Sequence, residues 1–144
     1  MQKKWVLSGL FLLCFSASAE WKFLFTTQIE PWRPGSKGLR VDHYISEYSI
    51  NEDSSYIEIE VLQNFITFES VTSPKRSWSV VKQEKLNCAK ANFSTLSFVV
   101  FSDLNGLGDV LESFTQTQIK WKKIDSDEDI TKIHRVVCGN KASR

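Results

Sequence analysis

Trp78-Ser-Val-Val-Lys-Gln-Glu-Lys-Leu-Asn-Cys88 and, about fifty positions later, Arg135-Val-Val-Cys138 decide how this chain folds. The first stretch reads as a strand with mixed charges on its exposed positions, closing on a cysteine. The second ends a segment whose apolar residues recur at helical spacing. Ile130, Ile133 and Val137, with His134 beside them, fall three and four apart, and Cys138 lies four beyond His134. These positions share one helical face. A bond between Cys88 and Cys138 would tie a C-terminal helix to a sheet.

The start of the chain supplies the reason to expect that bond. Lys3 and Lys4 precede an almost wholly apolar run from Trp5 to Phe15, and Ala17-Ser18-Ala19 follows with small residues at the positions a signal peptidase reads. This is the three-part pattern of a secretory signal peptide over residues 1–19, with cleavage between Ala19 and Glu20. The run is shorter than the roughly 20 residues a membrane-spanning helix needs, and no later stretch is long enough either. Cys14 lies inside the segment. Leu13 stands before it, where a bacterial lipoprotein signal wants a small residue, so Cys14 is expected to leave with the peptide. That leaves two cysteines in a chain that folds where disulfides persist. Closing a loop of about 50 residues is worth roughly 4 kcal/mol on the chain-entropy argument. Redox catalysis would prefer a Cys-x-x-Cys spacing, which is absent.

Composition narrows the function. Without Lys3 and Lys4 the chain carries 16 basic and 17 acidic residues. That balance gives no reason to expect nucleic-acid binding, which shows a basic face or stripe. An aromatic content of 12% supports a real core rather than disorder. The length suits one domain, expected over residues 20–141 with a polar tail at 142–144.

Along that domain, Trp21 to Thr27 reads as a first strand, and Glu30 to Gly38, with Pro31 and Pro34, as a loop. Leu39 to Ile50 is a strand with an irregular end, and Asn51 to Ser55 a polar turn. Tyr56 to Leu62 alternates cleanly. Ile57, Ile59 and Val61 share one face, and Tyr56, Glu58 and Glu60 the other, as in an antiparallel strand with one dry side. Glu58 and Glu60 are expected on a solvated face rather than in acid–base work. Val71 to Ser77 is a basic-tipped loop. In Thr95 to Ser102 the alternation sets Leu96, Phe98 and Val100 against Thr95, Ser97, Val99 and Phe101. The second face is half apolar, so a C-terminal helix is expected to cover it. Asp103-Leu104-Asn105-Gly106-Leu107-Gly108-Asp109 looks like a calcium loop, but Leu107 and Phe114 occupy two ligand positions of an EF-hand. It is read as a tight connection, with no metal. Val110 to Thr115 and Ile119 to Ile124 follow as strands. Asp125 to Cys138 is the helix, with Ser126 as candidate cap, acidic residues at its positive end and Gly139 as its stop.

The order of these pieces resembles the surface-adhesin protein E family of Gram-negative bacteria. The residues that carry the likeness are Trp21, Val41-Asp42-His43-Tyr44-Ile45, Ser49-Ile50, Tyr56 to Val61, and Ser77-Trp78-Ser79 leading to Leu86-Asn87-Cys88. Gly106-Leu107-Gly108, Lys120-Trp121 and Val137-Cys138 complete the series. The resemblance implies an α+β fold: a single antiparallel sheet of about six strands, with the C-terminal helix fastened to one face by the disulfide.

Two function classes follow. The first is an exported, non-catalytic envelope protein of the periplasm or cell surface, adhesin-like, that binds a protein partner. Trp32, Arg33, Lys75 and Arg76 are its candidate binding-loop residues, because tryptophan and arginine concentrate binding energy. The second is a periplasmic small-ligand or haem-binding protein. His43 and His134 are the only histidines, and a core or helix-surface role suits each better than ligation. No Gly-x-Ser-x-Gly, His-Glu-x-x-His or phosphate loop appears, so neither an enzyme nor a cofactor is expected. Self-association through an exposed strand edge is a further option.

Overall fold

In a computed structural model, residues 20–29, 38–46, 51–53, 56–67 and 76–139 are described. The expected signal peptide with Cys14 and Ala19, and the loop residues Trp32, Arg33 and Lys75, lie outside them. The strands are β1 (Trp21–Ile29), β2 (Leu39–Ser46), β3 (Asn51–Asp53), β4 (Tyr56–Thr67), β5 (Ser77–Asn87), β6 (Asn92–Phe101), β7 (Val110–Thr115) and β8 (Lys122–Lys123). One helix, α1 (Glu128–Cys138), closes the order. Six strands form an antiparallel sheet in the order β1-β2-β4-β5-β6-β7. The short β3 and β8 extend the edges of β4 and β6. The fold is α+β, as expected.

The alternation in β4 sets the sheet's two sides. Ile57, Ile59 and Val61 enter the core with Ile45, Leu86 and Phe93, and the helix lays Ile130 and Ile133 onto them. Each such side chain contributes about 1.5–3 kcal/mol on burial. Cys88 and Cys138 are bonded, with their Cα atoms 5.5 Å apart. The covalent link thus fastens the end of α1 to the turn that follows β5.

Beyond Val61 the alternation fails, because the other face is covered too. Leu62, Asn64 and Ile66 are all buried. The glycine-rich connection after β6 folds over that side. Asn64 exchanges hydrogen bonds with Asn105, donating from its amide to Asn105 Oδ1 at 2.8 Å and accepting the Asn105 N–H at 2.9 Å. Ser79 donates to the Asp103 carbonyl and accepts the Gly106 N–H. Asn105 and Gly106 both take positive φ, the reason for that residue pair at a tight reversal. A Cβ on Gly106 would lie 3.2 Å from Val81 Cγ2, so the backbone sits directly on the sheet.

Several local expectations are corrected. Residues 51–53 form a strand against Tyr56–Glu58 rather than a turn. Only Lys122 and Lys123 of the expected last strand pair, with Asn92 and Phe93, and Ile124–Ser126 is a 3-10 turn. The helix cap is Asp127, whose Oδ1 accepts the Ile130 N–H at 3.0 Å, not Ser126. Ser126 donates to the Lys123 carbonyl inside that turn. In β6 the pairing with β5 slips between Gln83 and Glu84, which leaves Leu96 as an extra residue. This bulge reverses the alternation behind it. Thr95 therefore shares a face with Phe98 and Val100, while Val99 and Phe101 turn to the side under the glycine loop. The loop, not the helix, lies against Phe101.

Replacing Cys88 with alanine should lower the melting temperature by an amount matching a loss of roughly 4 kcal/mol, and should leave Cys138 as one reactive thiol. Differential scanning calorimetry with thiol titration measures both. Two free thiols in the unreduced parent would contradict the link.

Candidate functional site

An α-helix of 11 residues is about 16 Å long and about 10 Å wide. A sheet whose central strand has 12 residues runs about 40 Å along that strand and about 24 Å across six strands. The helix therefore shields only part of its face. The rest is a groove of about 610 Å³, floored by Phe65, Val80, Phe98 and Val100 and flanked by Phe114. Aromatic stacking shapes it. Phe65 lies flat against Trp78 at 5.1 Å, and Phe98 against Phe114 at 5.3 Å. Lys82, Lys120 and Lys122 stand around it. No ion pair engages these three ammonium groups among the described residues.

A smaller space of about 240 Å³ runs on beneath the helix start, past Glu84, Asp127 and Asp129. Glu84 is 3% exposed, and its two carboxylate oxygens accept from Thr95 Oγ1 at 3.0 and 2.9 Å. Burial pushes the Glu84 carboxyl above its ordinary range, opposed by the Thr95 hydrogen bond and by Lys82.

His43 is fully buried and stacks on Phe25 at 4.4 Å. Its neighbours assign its protons. Thr27 has one hydroxyl proton and donates it to Asp129 Oδ1 at 2.8 Å. Thr27 Oγ1 must then accept the Nε2–H of His43, at 3.2 Å. The Gln63 amide nitrogen only donates, so it donates to Nδ1, at 3.3 Å. The neutral ring is thus satisfied at both nitrogens. Burial holds its pKa below the ordinary value, although Asp129 pulls it up. This is a structural histidine that locks the helix start to β1 and β2, and neither nitrogen is open to an incoming ligand.

β7 ends the strand order, and among the described residues nothing pairs with its outer edge. Val110, Leu111 and Phe114 are 60%, 63% and 46% exposed. This open apolar edge adjoins the groove through Phe114.

Several of the residues singled out in the sequence lie among the described ones. Cys88 and Cys138 form the link. Arg76 is exposed, and its backbone closes the neck of the β4–β5 loop, its N–H donating to Thr67 Oγ1 at 3.2 Å and its carbonyl accepting from Thr67. Glu58 faces solvent beside Lys85, 3.8 Å away. The groove residues were missed, because the Leu96 bulge that aligns Thr95 with Phe98 and Val100 has no mark in the sequence. Lys82 and Glu84 on the inward side of β5 were the readable hint: charges where a fully covered strand would be apolar.

A family profile described as surface-adhesin protein E matches residues 32–139. The chain belongs to the surface-adhesin protein E family. Two solved structures are similar to it. Haemophilus influenzae protein E in crystal form II is 21% identical, over 68% of this chain and 80% of that one, with a TM-score of 0.48. Protein E from non-typeable Haemophilus influenzae is 16% identical, over 83% and 88%, with a TM-score of 0.50. No curated protein matches. Among the described residues no helix is long and apolar enough to cross a membrane.

His43 and Glu84 should act in opposite directions. His43, with its folded pKa depressed, adds stability above 6.5, its unfolded value, and loses it as pH falls from there toward the folded pKa. Glu84, with its folded pKa raised, contributes fully below 4.5, its unfolded value, and loses that contribution as pH rises through the folded pKa. Glu84→Gln should therefore gain stability relative to the parent as pH rises above 4.5. Paired urea titrations from acid to neutral pH measure the difference. A difference that does not change with pH would remove the buried-carboxylate account.

Proposed function

We propose that the chain is exported by a signal peptide over residues 1–19 and works in the envelope of a Gram-negative bacterium as a non-catalytic, adhesin-like module that binds a protein partner. Membership of the surface-adhesin family supports this class. The observation that carries it is the lysine-rimmed aromatic groove beside an open strand edge. Its chemistry suits an extended, acidic segment of a partner protein. Such a segment adds to β7 by main-chain hydrogen bonds, sets apolar side chains on Phe98 and Phe114, and brings carboxylates to Lys82, Lys120 and Lys122. Trp32, Arg33, Lys75 and Arg76 remain the proposed contact residues on the loops. Self-association through β7 would use the same edge, and light scattering reads it directly.

The small-ligand or haem reading has less behind it. Neither histidine lines the groove: His43 is locked in the core, and His134 lies beside the disulfide. An enzyme has less still, because His43 and Glu84 are buried and already engaged by Thr27, Gln63 and Thr95.

Surface plasmon resonance tests the reading on immobilised mature protein, with synthetic peptides that alternate aspartate and phenylalanine or lysine and phenylalanine. The acidic peptide should bind, and its affinity should fall steeply with added salt. Lys82→Glu with Lys122→Glu should weaken it by more than about tenfold, and Trp32→Ala with Arg33→Ala should weaken it further. Equal binding of both peptides, or an unaltered affinity in the lysine variant, would discard the groove as the recognition surface.

A further inference from the structure

His134 sits one helical turn before Cys138, and its Nε2 is buried without a hydrogen-bond partner. Native interiors seldom leave such an atom unsatisfied. Its surroundings offer a chemical reason. One ring nitrogen of His134 and the sulfurs of Cys88 and Cys138 all lie within 4.8 Å of one another. Two thiolates and an imidazole are a zinc donor set, and a tetrahedral zinc ion spaces such ligands about 3.6–3.8 Å apart. The spacing of four between His134 and Cys138 puts both donors on one face of α1, and Cys88 reaches in from the turn after β5.

We infer that the reduced form of this chain carries a zinc-class metal site made of Cys88, Cys138 and His134, with a fourth position open to water. A dithiol reductant opens it. The reductant's two thiols become a disulfide, and Cys88 and Cys138 each take up one electron and one proton. Zinc ion then displaces both thiol protons to solvent and is neutralised by the two thiolates. Metal and disulfide are thereby mutually exclusive occupants of one place. A chain made in a reducing cytosol holds both thiols until it is oxidised, and bound metal would then hold the helix end to the sheet in the disulfide's stead and slow its closure. The site is independent of the groove and of any partner bound there.

The test uses the mature chain reduced with a phosphine and titrated anaerobically with cobalt ion, then with zinc. One equivalent of cobalt should bind, with visible bands of tetrahedral cobalt and a thiolate charge-transfer band, and zinc should displace it. The oxidised protein should show neither. His134→Gln should weaken zinc binding by at least about tenfold while its oxidised form melts with the parent. Should the reduced parent lose its helix without metal, zinc should restore the helical circular dichroism in the parent and not in His134→Gln. Zinc should also slow re-oxidation of the parent by air. No charge-transfer band, or equal zinc affinity in the parent and His134→Gln, which would mean a bare dithiol only, overturns the site.

Discussion

The fold rests on a short helix held down at both ends. A helix of 11 residues is marginal in water on its own, since nucleation is costly and few turns share that cost. Here the Cys88–Cys138 bond holds the last residue, and Asp129 in the first turn accepts a hydrogen bond from the Thr27 hydroxyl. Asp127 caps the start. Ile130 and Ile133 then meet Ile57, Ile59 and Val61 without the helix having to find its own orientation. The polar anchor around His43 has a second effect. Its hydrogen bonds are satisfied only in one neutral tautomer, so it specifies one docking geometry where apolar packing alone would tolerate several.

Pinning a short element to a broad sheet leaves area over, and the two sides of the sheet deal with it differently. On the side away from the helix, the glycine-rich loop lies against Val81 and Phe101 and supplies backbone and amide partners to Ser79 and Asn64. That side is closed at its centre by the chain itself. On the helix side nothing comparable is seen among the described residues, and the remainder is the groove with its stacked aromatic pairs. The Tyr56–Trp121 stack, 5.4 Å apart, with Lys85 4.9 Å above Tyr56, shows a different use of aromatics. There one cation already occupies the ring, whereas no ion pair involves the groove's lysines among the described residues.

What the residues disclosed in advance follows from how local each signal is. The alternation of Ile57, Ile59 and Val61, the helical spacing of Ile130, Ile133 and Val137, and the pairing of two cysteines are each read within a few residues or by counting. All three held. The misses share a non-local cause. Asn51–Asp53 is polar enough for a turn, yet it pairs with Tyr56–Glu58 because β2 leaves the rest of that edge of β4 open. Ser126 and Asp127 are equally good cap residues, and the 3-10 turn that consumes the Ser126 hydroxyl decides between them. The bulge at Leu96 is a matter of register between two strands, so no inspection of β6 alone reveals it. Since the groove floor depends on that bulge, the candidate site was the least legible part of the chain.

Charge placement is consistent with the proposed recognition role. Catalytic sites hold titrating groups where a substrate can touch them, and tune them there. Among the described residues, the two groups with shifted pKa values, His43 and Glu84, are withdrawn from solvent and saturated by Thr27, Gln63 and Thr95. Lys120 and Lys122 stand exposed at the rim. Buried groups that specify the packing and exposed charges that steer an encounter are the division of labour of a binding surface. The Leu96 bulge serves both, since it brings Thr95 to Glu84 while turning Phe98 and Val100 into the floor against which a partner would rest.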